Sequence, residues 1–364
     1  MSSLPTLDVE QMDIRNTAIL VVIPTLNEAE HIENVLAELS SGIPAGLDVR
    51  FVVCDGGSSD STQEIVQGIA RQDTRVVLLH NAKRLQSAAV NHATRTYGAG
   101  YDILIRCDAH SVYPSGYVAS LVQSLAQSKA DAVVVPMDSI GDTCLRKAVA
   151  WVSDTPAGSG GSAHRGGTRS GYVDHGHHAA FRMASFVRAG GYDESFSHNE
   201  DAELDCRQRV LGGRIFLDAS IRIGYVPRNT LGGLWRQYRM YGRGRARTVC
   251  KHPNSLRVRQ FAVPLNLLMC LLGIIALPWT PWAAIWPAFY VLALCGVSGV
   301  ISIKKRSLCG LLAFPAAFVM HTSWALGFLQ GFIFRRDVRW SVEDAVPLEL
   351  NASNQRGPAS ITAV

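Results

Sequence analysis

Between Asp218 and Asp337 the chain holds no acidic residue, while the same stretch carries fifteen Lys or Arg and three apolar runs, 261–280, 284–303 and 308–334. None of the three runs contains Asp, Glu, Lys or Arg. A twenty-residue helix is roughly 30 Å long, the thickness of the hydrocarbon core of a bilayer. The C-terminal third is therefore expected to sit in a membrane as about three segments, the competing reading being buried helices of a soluble protein. Basic clusters at Arg243–Arg259 and Lys304-Lys305-Arg306 flank these runs and are expected on the cytoplasmic side. A third complete span would then put Arg335, Arg336 and Arg339 on the far side, against that rule. The third run is accordingly a span with an exceptional tail, or a re-entrant or interfacial segment.

Composition sharpens the division. The 364 residues carry a net charge of +5, but outside this stretch 20 basic residues face 30 acidic ones. Charged residues make up 18% against about 25% in an ordinary soluble domain, and 48% are hydrophobic, which excludes disorder for most of the chain. A basic segment this apolar is no nucleic-acid-binding tail, so a membrane and no nucleic acid is the expected partner. The eight cysteines form no C-x-x-C pair, so a zinc or redox motif has no support, and they are expected to be reduced structural thiols facing the cytosol. Residues 1–17 lack an apolar core of the signal-peptide type, and no signal peptide is expected there.

The first two thirds alternate short β-branched runs (18–23, 49–54, 76–79, 103–107, 132–135) with helical patterns (29–39, 61–71, 87–97, 116–127). Continuous apolar strands separated by helices predict an α/β domain over 18–230 with a mostly parallel sheet covered on both faces. Ligands of such sheets bind beyond the carboxyl ends of the strands. Those ends carry Pro24-Thr25-Leu26-Asn27-Glu28, Asp55-Gly56-Gly57-Ser58-Ser59-Asp60 and Arg106-Cys107-Asp108-Ala109-His110, so the polar chemistry falls on one edge. The Gly/Ser-rich stretch 156–171, with His164, Arg165 and Arg169, reads as a flexible loop. A strand near 172–174, a turn at Gly190-Gly191-Tyr192 and a helix from about Asn199 follow. A basic, partly apolar helix over 231–249, within a 231–260 interfacial segment, is expected to lie along the membrane surface. A polar tail, 335–364, completes the chain.

Four motifs carry chemistry. Thr25 and Glu28, in V-V-I-P-T-L-N-E-A-E, stand where a base or ribose could be touched. Asp55, at a strand end before two glycines, suits a ribose hydroxyl or a pyrimidine N–H. Asp108 and His110 are acceptors two residues apart that could share one divalent cation with a diphosphate. Glu200 and Asp201, at a helix start with Asn199 as candidate cap, could divide the work of accepting an acceptor-hydroxyl proton and holding that carboxylate in place. No G-x-G-x-x-G or Walker A motif is present.

In this order the four motifs resemble the family 2 inverting glycosyltransferases of GT-A fold, over about residues 18–245. The resemblance implies a Rossmann-like catalytic domain followed by transmembrane helices. It also implies that Asp55 contacts uracil or ribose, that Asp108 and His110 form a D-x-D-like site for Mg²⁺ or Mn²⁺, and that Asp201 is the catalytic base. Asp108-Ala109-His110 departs from the usual second Asp. The processive synthases of the family carry Q-x-x-R-W on an interfacial helix. Here Gln237 matches, Met240 and Tyr241 stand in the Arg and Trp places, and Arg239 lies between, so Gln237 and Arg239 are candidate donor-binding residues. A non-processive enzyme is thus implied: UDP-sugar (UDP-glucose) as donor, a polyprenyl-diphosphate-linked saccharide as acceptor, and bacterial exopolysaccharide assembly of succinoglycan type, with other assembly proteins as further partners. Its place would be the inner membrane, with the catalytic domain in the cytoplasm. The rivals are a processive synthase and a non-catalytic membrane scaffold. Arg236, Arg239, Arg243, Arg245 and Arg247 suit anionic headgroups or a lipid diphosphate, or are a solvated basic flank. His175, His177 and His178 read as acceptor contacts or structure, and His321 as a helix–helix hydrogen bond or a diphosphate contact.

Overall fold

The computed structural model describes residues 16–161, 167–334 and 337–351. His164, Arg165, Arg335 and Arg336, and most of the two termini, lie outside the described residues. The expected alternation is present: β1 (Ala18–Thr25), α1 (Ile32–Ser40), β2 (Asp48–Asp55), α2 (Thr62–Gln72), β3 (Val76–His80), α3 (Gln86–Tyr97), β4 (Ile103–Arg106), α4 (Tyr117–Ser128) and β5 (Ala132–Val134). β1 pairs in parallel with β2 on one side and β4 on the other, which buries it at the centre of the sheet. Its alternate side chains feed two cores. Ile19, Val21 and Ile23 pack with Leu36 of α1 and Leu121 of α4, and Leu20 and Val22 pack with Val90 of α3 and Phe181.

The second half contains β6 (Met137–Ser139), α5 (Cys144–Ser153), α6 (Pro156–Ser159), β7 (Gly171–Val173), β8 (His178–Arg182), α7 (Met183–Arg188), α8 (Glu200–Val210), β9 (Ile215–Leu217) and β10 (Ile223–Tyr225). The main sheet runs β3-β2-β1-β4-β8-β5-β9-β7, with β8 and β7 antiparallel to their neighbours, and β6 pairs with β10 apart from it. The sheet is mostly parallel, as expected. The insertion of β8 between β4 and β5 has no local sequence signal, since it depends on a chain return of more than forty residues. Within the expected loop, residues Pro156–Ser159 form a single helical turn with proline at its first position.

The basic helix is α9 (Leu231–Lys251), started by the Thr230 hydroxyl accepting from the Gly233 N–H. It is followed by α10 (Ala262–Ala276), α11 (Ile285–Lys305) and α12 (Ala313–Ile333). Together with the 3-10 turns before them, the last three are long and apolar enough to cross a membrane. α9 and α12 touch backbone to backbone: a Cβ added at Gly327 would stand 2.0 Å from the Arg239 carbonyl oxygen. One expectation fails here. Cys144 and Cys309 form a disulfide, with Cα atoms 5.0 Å apart. They are 165 residues apart in sequence, and only the packing of the Leu308–Leu312 turn against α5 brings them together.

Candidate active site

The carboxyl ends of β1 and β4 and the start of α8 converge on a cleft of about 2150 Å³. At its floor sits Arg106, the last residue of β4 and only 5% exposed. Its Nη1 donates to both oxygens of Asp201 at 2.9 and 2.8 Å, and its Nη2 to Asp108 Oδ1 at 3.0 Å. Glu200 Oε1 lies 3.9 Å from the same guanidinium. One buried cation thus gathers Asp108 with the adjacent pair Glu200 and Asp201 from two distant segments of the sequence. Burial works against its charge, but Asp201, Asp108 and Glu200 together hold its pKa well above the usual value.

The three carboxyl groups differ in their surroundings. Asp201 also accepts from the Tyr192 hydroxyl at 2.8 Å, so both of its oxygens are held. Asp108 accepts from Gln86 Nε2 at 2.7 Å. Burial tends to raise its pKa, but Arg106, His177 and His110 outweigh that and keep the carboxyl below the ordinary range. Glu200 is different. Burial and the adjacent Asp201 push its pKa up to about 7, and its Oε2 is buried without a hydrogen-bond partner among the described residues. Asn199 holds the cap position in a left-handed conformation with φ 63°. Its side chain does not cap α8 as expected but donates to the Tyr241 carbonyl at 2.9 Å, tying this corner to α9.

A smaller cavity of about 180 Å³ opens between β1 and β4, lined by Pro24, Thr25, Glu28, Gln86, Asp108 and His110 among others. The Thr25 hydroxyl donates to the Ile23 carbonyl. Glu28 Oε1 meets His110 Nδ1 at 2.8 Å, and that hydrogen bond, against burial, raises the His110 pKa. Asp55 is 1% exposed and lines neither cavity. Its oxygens accept from the Gly57 and Ser58 N–H groups, the Ser58 hydroxyl and Gln63 Nε2, so it shapes the loop beside the cavity. Gln237 lines the large cleft and donates to the hydroxyls of Tyr225 and Tyr241 at 2.7 and 2.9 Å. Arg239 points away, with its guanidinium on Gln330 of α12. Of the other basic residues of α9, Arg236 and Arg245 line the cleft, Arg245 also donating to the Ser255 carbonyl, Arg247 pairs with Asp337, and Arg243 is exposed.

The fit of a divalent cation follows from these donors. Among the described residues no three His, Cys, Asp or Glu side chains converge on one point. A cation here would take most of its shell from diphosphate oxygens and water, as Mg²⁺ commonly does. Asp108 suits this, since Arg106, His177 and His110 keep its pKa low and its Oδ2 stands 3.6 Å from the His177 ring. His110 suits it only when deprotonated, because an imidazolium has no lone pair to offer. His177, which the sequence marks only as an acceptor contact or structure, lies with its ring 3.6 Å from Asp108 and 3.8 Å from Asp201, and Arg106, Gln86 and Tyr192 join the site without being expected there. Of the last three only Arg106 carries a signal, a lone cation at the end of an otherwise apolar strand.

Comparison with known proteins agrees with this architecture. Residues 20–188 match the family model "Glycosyl transferase family 2". The chain is 43% identical over 328 residues to the succinoglycan biosynthesis protein ExoA of Rhizobium meliloti (strain 1021), covering 90% of this chain and 98% of that one. It is 27% identical over 106 residues to a dolichol-phosphate mannosyltransferase of Pyrococcus furiosus, 29% of each chain. In fold it resembles the mannosyltransferase PcManGT from Pyrobaculum calidifontis, solved with GDP-Man and Mn²⁺, at a TM-score of 0.56 and 18% identity over 90% of this chain and 91% of that one. With a GT-A sheet, its carboxylates gathered at the strand ends and a relative this similar along nearly its whole length, the chain belongs to glycosyl transferase family 2.

Proposed function

We propose that this glycosyltransferase is membrane-bound and inverting, and that it moves a hexose, glucose from UDP-glucose, onto a polyprenyl-diphosphate-linked saccharide during assembly of a succinoglycan-type exopolysaccharide. The observation that carries the reaction class is Arg106, which holds Asp201 on one terminal nitrogen and Asp108 on the other of a single guanidinium at the floor of the cleft. A displacement with inversion needs a leaving-group site and a base on opposite faces of the sugar, and these two carboxylates supply both.

Asp201 receives the proton of the acceptor hydroxyl as that oxygen attacks the anomeric carbon. Arg106 and Tyr192 hold its oxygens in place beforehand, so no reorganisation is needed at that moment. Glu200, half protonated near neutral pH, keeps a second full charge away from Asp201. Pro24, Thr25 and Glu28 line the cavity suited to the nucleoside, and Asp55 orders the loop beside it. Asp108, joined by His110 in its neutral form, would hold Mg²⁺ or Mn²⁺. When bound, the cation supplies positive charge to the leaving diphosphate.

The acceptor assignment is supported by the extent of the cleft, which runs from Asp108 past Gln237 and Arg236 to Ala262, Val263 and Trp324 of the apolar helices. A lipid-borne acceptor enters from there. The catalytic domain is placed in the cytoplasm on the basic residues that flank the apolar runs. A bonded Cys144–Cys309 pair is uncommon in that compartment and lends this side no support.

The test is Asp201→Asn in membranes supplied with labelled UDP-glucose and the lipid acceptor. Transfer should be lost while UDP-glucose binding persists, and normal turnover would overturn the base assignment. Equal donor binding with and without EDTA would remove the cation.

A further inference from the structure

We propose that the third apolar helix, α12, does not cross the bilayer but lies along its surface, so that only the α10–α11 hairpin enters the hydrocarbon and both ends of the chain stand on one side. This rests on the membrane residence proposed above, and on neither the donor nor the acceptor.

Both ends of α12 are fastened on the side of the catalytic domain, the start to α5 and the segment past its end to α9 and then to the catalytic domain. At its start the Leu308–Leu312 turn is joined to α5 through Cys144–Cys309. At its middle His321 Nε2 meets the Ala157 carbonyl of α6 at 2.6 Å. Past its end Asp337 pairs with Arg247 of α9 at 2.7 Å, and the Trp340 N–H donates to the Lys251 carbonyl at 3.0 Å. The chain then returns along the catalytic domain. The Leu348 N–H donates to the Val187 carbonyl, the Asn351 N–H to the Arg95 carbonyl, and the Leu348 side chain is buried in the sheet core. A 21-residue helix is about 31 Å long. Standing upright, it would put its two ends on opposite sides of a core about 30 Å thick. Ends held at α5 and at the basic helix α9, both on the water-facing side, give it the in-plane orientation.

Its neighbour points the same way. Along α12, Gly327 meets the Arg239 backbone and Gly331 the Arg243 backbone, so the two helices run side by side in the same direction. α9 carries Arg236, Arg239, Arg243 and Arg247, a charge density the hydrocarbon core does not admit. α12 must share its depth. Its exposure is one-sided as well: Phe318, Leu326, Leu329 and Ile333 form an outward stripe while Ala317, Met320, Phe328 and Gly331 face the protein. Over the best apolar window 44% of α12 is buried, against 6% and 17% for the first two candidate spans. Those two present apolar side chains on most sides, with Trp279 and Trp282 exposed at the turn between them, where an interface would favour tryptophan. With α12 in the plane, the basic residues that follow it fall on the side of Lys304–Arg306, and the exception to the positive-inside rule disappears. The helix then forms the membrane-side wall of the active-site cleft, through Met320, His321 and Trp324.

The experiment places one epitope tag before Met1 and another after Val364 of the full chain, expressed in bacteria, and treats intact spheroplasts and then broken membranes with trypsin. Both tags should survive in spheroplasts and be lost together on breakage, with the protein retained after a sodium carbonate wash. Loss of the C-terminal tag alone from intact spheroplasts means a third span and overturns the inference, as does release by carbonate. Loss of both tags from intact spheroplasts leaves the inference standing and overturns the cytoplasmic placement of the catalytic domain.

Discussion

Replacing Glu200 with glutamine tests the electrostatics of the site through a quantity that needs no substrate. In the fold its pKa is raised from the ordinary 4.5 to about 7, by burial first and by the adjacent Asp201 second. Between those two values the folded state holds a proton that the unfolded chain has already released. Stability therefore falls as pH rises through this window and levels off above the folded pKa. At 1.36 kcal/mol per pH unit, ionised Glu200 costs the fold about 2 to 3 kcal/mol more at pH 8 than at pH 5. Glutamine has nearly the same shape and carries no charge, so Glu200→Gln removes that cost. For a domain of this size each kcal/mol moves Tm by about 2–4 °C. The difference in Tm between variant and wild type, read by thermal unfolding in detergent or nanodiscs, should thus grow in the variant's favour by about 5–10 °C from pH 5 to pH 8. A difference that stays constant with pH, or that grows in favour of the wild type, would refute the reasoning.

Arg106→Met removes the one cation shared by Asp108, Glu200 and Asp201, and breaking a buried ion pair from one side costs about 3–5 kcal/mol. Because the stranded carboxylates then have raised pKa values, the loss in Tm should be largest at pH 8 and shrink towards pH 5, and an equal loss at both values would count against electrostatics as the cause. Gly242→Leu drives a side chain into the Trp324 carbonyl, which a Cβ at Gly242 would approach to 2.1 Å. That should separate α12 from α9 at a cost of at least about 1–3 kcal/mol, read as faster proteolysis of the segment after α12 in membranes, and unchanged cleavage would show that the two helices are not locked together.

Much of the candidate site was legible because its residues sit at predictable places on predictable elements. β1, β2 and β4 are continuous apolar runs, so their carboxyl ends could be located to within a residue or two, and Glu28, Asp108 and His110 fall there. Glu200 and Asp201 were found from a helix start. Asp55 and Arg239 show the limit of such reading. Both occupy the expected elements, but the carboxylate of the first turns into its own loop and the guanidinium of the second turns onto α12. His177 stands out in the sequence only as one of a cluster of histidines, and its relation to Asp108 and Asp201 follows from where β8 inserts into the sheet.

By itself the sequence determined what each segment must avoid: acid-free apolar runs avoid water, and β-branched runs bounded by polar turns need a sheet on both sides. Those are properties of single segments, set by side-chain transfer energies and backbone propensities within a window of about twenty residues. The tertiary structure decided everything that depends on two distant segments meeting. It brought Arg106 to Asp201 across 95 residues, joined Cys144 to Cys309 across 165, and laid α12 beside α9. The third apolar run is the plainest case. Its composition says only that it prefers apolar surroundings, whereas what its two ends are bonded to, α5 before it and α9 after it, is set by the tertiary structure.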